Sequence, residues 1–308
     1  MSGIKVIRPG VLATLQDWGR YGQRENGLSS GGPMDEHAFL WVNRLLDNPP
    51  KSCMIEITIG LASFESQVNS TIAVCGADMG LTINNKPAAC WSTHPIKVGD
   101  KLQFSSSRQG LRTYLGIAGG FNVEPVFASS ATVVREHLGG LNGQALQHND
   151  VIPAQRKDPL SYQRRVPYQF IPSHEQPATL RFIPGYQTNQ FDASQRNAFS
   201  GNVYVISQRL DRMGCQMLGE KIHYEGAGII SEGIALGSIQ IPPDGQPIIL
   251  LKDSGSIGGY PKLGCITRVD LNKLAQCRPG DQISFQAVDQ TSASEELIEF
   301  YNFFNLRF

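Results

Sequence analysis

The apolar positions of this chain fall mainly in short runs closed off by glycine, proline or asparagine. Runs rich in β-branched or aromatic residues, each of strand length, occur at 71–75, 102–104, 111–117, 179–183, 203–206, 239–241, 248–251 and 283–285; such runs predict strands. Asn84-Asn85, between Leu81-Thr82-Ile83 and Lys86-Pro87, predicts a hairpin-like turn, because asparagine tolerates positive φ.

Few stretches carry helical spacing. Residues 34–46 place Ala38, Trp41, Val42 and Leu45 on one face, start at Asp35 or Pro33, and stop at Asn48-Pro49-Pro50. A second helix is expected over 270–277, capped by Asp270 and ended by Pro279-Gly280. A third, opened by Ser292 or Ser294, aligns Leu297, Tyr301, Phe304 and Phe308 in an aromatic stripe suited to packing against the body or a partner subunit.

A short pattern recurs. Val98-Gly99-Asp100-Lys101-Leu102-Gln103-Phe104 and Pro279-Gly280-Asp281-Gln282-Ile283-Ser284-Phe285 share Gly-Asp-x-apolar-x-Phe, and Asn149-Asp150-Val151-Ile152-Pro153 is a degraded copy. Each reads as a tight turn entering a strand. Residues 157–177 are polar, contain Pro159, Pro167, Pro172 and Pro177, and form the best linker. The expected division is an N-terminal β domain over 1–156, a linker over 157–177 and a C-terminal β domain over 178–308.

Composition agrees with sheet. The 308 residues include 32 glycines and 18 prolines, and only 18% are charged, below the roughly 25% of an average globular domain. Lysine plus arginine equals aspartate plus glutamate at 27 each, which argues against a nucleic-acid or anionic-membrane surface, since both require a concentrated basic face. No apolar stretch is long enough to span a membrane and the first ten residues do not read as a secretory signal, so a cytoplasmic location is expected. Six cysteines without CxxC pairing read as buried reduced thiols, and no metal-ligand spacing is present.

Several enzyme classes lose their signatures: no GxxxxGK[ST] and no HExxH occurs, no GxSxG marks a hydrolase nucleophile at a strand-to-helix turn, and no GxGxxG follows a strand. What remains is a set of dense glycine, proline and charge segments. In Gln16-Asp17-Trp18-Gly19-Arg20-Tyr21-Gly22, Asp17 and Arg20 can pair with each other or bind a polar ligand jointly. Gly76-Ala77-Asp78-Met79-Gly80 follows an apolar strand, and Gly116-Ile117-Ala118-Gly119-Gly120 permits close approach of a ligand or backbone. The richest stretch combines Asp211-Arg212-Met213-Gly214, Ser231-Glu232-Gly233, Gln240 through Pro242-Pro243-Asp244-Gly245-Gln246-Pro247, and Gly258-Gly259-Tyr260-Pro261-Lys262. Glutamine, aspartate, tyrosine and lysine converging from rigid turns suit a small amide, carboxylate or bicarbonate-like group.

These blocks, together with Arg8-Pro9-Gly10, Met34-Asp35, Glu56-Ile57-Thr58 and Ala118-Gly119-Gly120, resemble the biotin-dependent carboxyltransferase family, also termed allophanate hydrolase subunit 2 or KipA-like. The resemblance runs in order over nearly the whole chain. Where many relatives carry a Gln-Thr-Thr-Gly-Gly-Tyr run, this chain has Gly255-Ser256-Ile257 before Gly258. The family implies a mainly β fold of tandem cyclophilin-like barrels with a few short helices. It also implies a composite enzyme with a KipI-like (allophanate hydrolase subunit 1) partner.

Family members serve ATP-dependent opening of 5-oxoproline to glutamate, the carboxyltransferase step of urea carboxylase, or a non-catalytic KipI/KipA regulatory pair. A separate subunit of this size, with no biotin-carrier or ATP-grasp segment, fits the first, a hydrolase complex whose third component is a LamB/YcsF-like protein. ATP then serves the complex, and biotin enters only under the second reading. On that basis Lys262 and Gln246 are expected to stabilise a carbonyl oxygen, Asp244, Glu232 and Asp78 to supply acid and base groups, and Arg20 and Arg212 to hold a substrate carboxylate. Tyr260, Gln240 and Asp17 would complete substrate binding, and Gly258 and Gly259 would approach a cofactor.

Overall fold

The computed structural model describes residues 2–155, 157–173, 177–224, 226 and 228–306. The chain divides into two compact units, one of residues 1–21 and 31–173, the other of residues 22–30 and 174–308. Residues 157–173 of the expected linker therefore group with the first unit, while 174–176 lie outside the described residues. The segment 22–30 joins the second unit for a polar reason: the Arg24 guanidinium donates to the carbonyls of Ile234 (2.9 Å) and Gly255 (2.6 Å).

In the first unit the strands form two sheets. One has the order Val151–Pro153, Gly3–Pro9, Ala62–Ser66, Lys101–Gln103, Thr82–Ile83, Lys86–Pro87, and the other the order Leu12–Gln16, Met54–Thr58, Arg112–Ile117, Ser70–Gly76, Ser92–Ile96. Ile4, Val6 and Phe64 of the first sheet join Leu15, Ile55 and Leu115 of the second in one dry core. The Asn84-Asn85 turn sits in the left-handed region, at φ 51° and 64°, and closes a two-residue hairpin as expected.

Helix α1, Glu36–Leu45, starts where Asp35 Oδ1 accepts the Ala38 N–H at 3.0 Å. It lies across the second sheet above Gly116, where a Cβ would stand 2.4 Å from Val42 Cγ1. That glycine admits a helix, not a ligand. Also in this unit, the Tyr114 hydroxyl donates to Glu56 Oε2 (2.7 Å) and accepts the Asp35 N–H (2.8 Å).

The second unit closes into a seven-stranded barrel: Ala178–Pro184, Lys262–Ile266, Ser238–Gln240, Ile248–Leu250, Gly214–Leu218, Tyr204–Leu210, Gln282–Ala287, and back to the first. Closure removes the sheet edges that would otherwise expose unpaired backbone groups. Helix α2, Ala193–Gly201, went unrecognised in the sequence; its one buried residue, Phe199, stacks on Phe285 with ring centroids 4.3 Å apart. Helix α3, Leu271–Gln276, follows Asp270 as expected, but the carboxylate does not cap it, because Arg181 holds it instead.

Helix α4, Gln290–Phe303, is capped by Asp289, which accepts the Ser292 N–H, so neither Ser292 nor Ser294 is the cap. Tyr301 and Phe304 of the expected stripe are buried, Leu297 is half-buried, and Phe308 lies outside the described residues. The mainly β expectation holds in both units, with four short helices among the described residues. The closed barrel is in the second unit, while the first pairs its strands in two sheets.

The recurring turn is real at all three places. Asp100, Asp150 and Asp281 each accept the N–H three residues earlier, at 2.7, 2.7 and 2.8 Å. The preceding Gly99, Asn149 and Gly280 take φ of 88°, 72° and 95°. In each copy the turn also exchanges two backbone hydrogen bonds with a neighbouring strand residue, Ser66, Val6 or Ile206.

Candidate functional site

Two short strand pairings in the second unit bring three side chains and a glycine together. In the barrel wall Gln240 lies opposite Lys262, beyond a register shift between Ile239 and Gln240 that marks a bulge. Bulges re-aim side chains and concentrate near sites. Beside the barrel, the two-residue strand Glu232–Gly233 pairs with Ile257–Gly258, placing Glu232 opposite Gly258. Lys262 Nζ makes an ion pair with Glu232 Oε1, and on the other side Gln240 Nε2 lies against Gly258, where a Cβ would come within 2.6 Å of it.

The pair sits at the edge of the protein interior: the Lys262 side chain is 10% exposed and that of Glu232 33%. Two further donors converge on the same carboxylate. The Tyr186 hydroxyl donates to Glu232 Oε2, and Gln187 Nε2 donates to Oε1 at 3.1 Å. Gln187 is buried; its Oε1 accepts the Lys262 N–H at 2.8 Å and its Nε2 also reaches the Tyr186 oxygen at 3.0 Å. It thus ties lysine, glutamate and tyrosine into one network.

Hydrogen bonds from Lys262 first, and from Tyr186 next, hold the Glu232 carboxyl below the usual carboxylate range. The same carboxylate pushes the Tyr186 phenol up. Gln240, 5% exposed, differs from these in having an Nε2 shielded from solvent with no hydrogen-bond partner among the described residues. Buried amide donors rarely stay unpaired, and those that do tend to mark sites.

The other expected residues of this unit serve the scaffold or its surface. Asp244 accepts the Gln246 N–H at 3.0 Å, and Gln246 clamps Gly219 from both sides, accepting its N–H at 2.9 Å and donating to its carbonyl at 3.2 Å. Gln246 is thereby a turn clamp. Tyr260 is 45% exposed on the rim, and Gly259 has the Ser231 hydroxyl beside it. Arg212 is corrected outright: its guanidinium forks onto buried Asp253, Nε to Oδ2 at 2.8 Å and Nη2 to Oδ1 at 2.9 Å, and so is committed inside the protein.

In the first unit Arg20 is likewise corrected. Fully buried, it donates to the carbonyls of Val126 (3.1 Å) and Ala131 (3.0 Å). Asp17 accepts from Ser129 Oγ (2.6 Å), the Ser130 N–H (2.7 Å) and the Gly19 N–H (2.9 Å). Both therefore pin the 126–131 segment, each by its own bonds. Asp78 is exposed and closes a turn by accepting the Gly80 N–H at 2.9 Å.

Tyr186 and Gln187 escaped sequence reasoning, although Pro184-Gly185 directly after an apolar strand marks a turn able to present them. Among the described residues no group of three or more histidine, cysteine, aspartate or glutamate side chains could hold a metal ion. None of the six cysteines is in a disulfide; burial raises the Cys90 thiol to about 12 and that of Cys265 to about 11, so both stay protonated. No helix of the described residues is long and apolar enough to cross a membrane.

The chain is 31% identical to the C subunit of 5-oxoprolinase from Escherichia coli strain K12, over 92% of this chain and 90% of that protein. The figures for the corresponding C subunit from Haemophilus influenzae are again 31%, 92% and 90%. The crystal structure of Kluyveromyces lactis urea carboxylase superimposes with a TM-score of 0.89 at 25% identity, over 97% of this chain but 29% of that one. The family described as carboxyltransferase domain, subdomain A and B, matches residues 26–287, and the chain belongs to that family.

Proposed function

We propose that this chain is a subunit of an ATP-dependent 5-oxoprolinase, which opens the lactam of 5-oxo-L-proline to L-glutamate together with a KipI-like protein and a LamB/YcsF-like protein. The observation that carries the reading is the 31% identity, over nine-tenths of both chains, to two proteins named as the C subunit of 5-oxoprolinase. The Lys262, Glu232 and Gln240 cluster is chemically suited to it. Lactam hydrolysis builds negative charge on the carbonyl oxygen, for which the Gln240 amide N–H is a donor, while the Lys262 ammonium suits the substrate carboxylate. Glu232, held ionised by Lys262 and Tyr186, acts as counter-ion to the lysine rather than as an acid.

The donor set fits a carbonyl or a single carboxylate. It does not fit a triphosphate, whose several negative charges exceed its one ammonium; ATP is therefore assigned to a partner protein. No step is assigned to Asp244 or Asp78, whose carboxylates close turns.

The test is reconstitution of the three components with ATP and 5-oxo-L-proline, reading glutamate and ADP together. Glutamate formation that disappears with Lys262→Met supports the proposal, and no glutamate from the complete mixture refutes it. The fold match to urea carboxylase favours a second reading as a biotin-dependent carboxyltransferase. In that case Lys262 and Gln240 would meet a ureido oxygen, and the mixture would instead turn over carboxybiotin with urea.

A further inference from the structure

We propose that Lys262, Tyr186, Gln187 and Gln240 form a carboxylate-binding site in which the chain's own Glu232 stands in for a ligand carboxylate. One ammonium, one phenol and one amide converge on the Glu232 carboxylate. A cation flanked by neutral donors is the composition of a site for a small monocarboxylate. Glu232 can leave this position at low cost. Its own strand is two residues long and, among the described residues, pairs only with Ile257–Gly258, and its side chain is one-third exposed.

The lysine, by contrast, is fixed. It starts a strand inside the barrel wall, its side chain is nine-tenths buried, and its backbone N–H is held by Gln187.

The unpartnered amide is the independent sign of a ligand. Gln240 neighbours Lys262 across the barrel wall, and its Nε2 faces the bare Cα of Gly258, the residue opposite Glu232. Glu232 satisfies Lys262 but leaves this donor unused. A ligand bearing both a carboxylate and a second acceptor would engage both, whereas the internal carboxylate engages one. Of the proposed function this inference uses only the natural ligand, 5-oxo-L-proline, which has a carboxylate and a lactam oxygen.

Calorimetric titration of the full chain with 5-oxo-L-proline, acetate and neutral 2-pyrrolidinone tests it. Glu232→Gln removes the competing charge and keeps the shape. Both carboxylates are expected to bind it roughly tenfold more tightly than wild type, as befits loss of one close charge competitor, with 2-pyrrolidinone unchanged. Adding Lys262→Met abolishes the gain, and Gln240→Ala weakens 5-oxo-L-proline several-fold more than acetate.

Glu232→Ala, made alongside, must show the same gain. Unchanged or weaker carboxylate binding in whichever of the two glutamate variants folds, judged by thermal unfolding, overturns the inference. Tighter binding in Glu232→Gln with no glutamate from the three-component mixture keeps the site and removes the 5-oxoprolinase reading. Turnover without the binding gain does the reverse.

Discussion

Arg212 and Asp253 meet as a two-pronged ion pair inside the second unit, with side chains 6% and 7% exposed, and the Asp253 N–H returns to the Arg212 carbonyl at 2.8 Å. Removing one partner of a buried pair leaves an uncompensated charge, so Arg212→Ala is expected to cost about 3–5 kcal/mol in urea unfolding. Arg212→Lys should recover only part of this, since one ammonium cannot reproduce the fork. A variant with unaltered stability and impaired ligand binding would return Arg212 to the site.

Asp270 makes stability depend on pH. Burial alone would raise its carboxyl, but hydrogen bonds from the Arg181 side chain and N–H, and from Lys273, hold it below the usual range. Folding therefore favours the ionised form. The contribution is complete above the unfolded carboxyl's value of about 4 and is lost as pH falls through the lower folded value. Unfolding curves between neutral and strongly acidic pH should show a shallower acid limb for Asp270→Asn than for wild type. At neutral pH the variant should be less stable by about 2 kcal/mol.

Tyr114 ties a motif block to the core of the first unit. Its hydroxyl donates to Glu56 and accepts from the Asp35 N–H, and the Met34 N–H also reaches Glu56, at 2.9 Å. Tyr114→Phe removes both hydroxyl bonds at a buried position, and about 1–3 kcal/mol of lost stability is expected from denaturant midpoints. Met34-Asp35 and Glu56-Ile57-Thr58 are thereby explained as parts of one internal network.

Gly258→Ala separates site from scaffold. The new Cβ would meet Gln240 Nε2 at 2.6 Å and Ile234 Cγ2 at 3.2 Å. The first of these is the end of a flexible side chain and can swing away. Stability should fall by about 1 kcal/mol or less, while binding of 5-oxo-L-proline in titration should weaken several-fold because the amide is displaced.

How much of this was legible depended on distance along the chain. Strands such as Ser70–Gly76 and Ala178–Pro184 were readable because β-branched runs bounded by glycine or proline carry their own signal. Gly258, Gly259 and Lys262 were readable as a compact block. Gln187, which positions Lys262 from 75 residues away, was not, because only barrel closure brings the two together.

Charge type misled in the opposite direction. A buried structural arginine and a ligand-binding one look alike until burial is known, and Arg20 and Arg212 both proved internal. At helix α4 the expected openers were Ser292 and Ser294, whereas the cap is Asp289, two residues past the end of the strand Gln282–Ala287.

The way the barrel closes has a kinetic consequence. Ala178–Pro184 runs parallel to Gln282–Ala287 and antiparallel to Lys262–Ile266, so its two sides are completed only by segments made about a hundred and about eighty residues later. Such non-local pairing makes folding slow, since loop closure precedes any gain from contacts. During synthesis, Ala178–Pro184 must wait with both edges open until those segments are made.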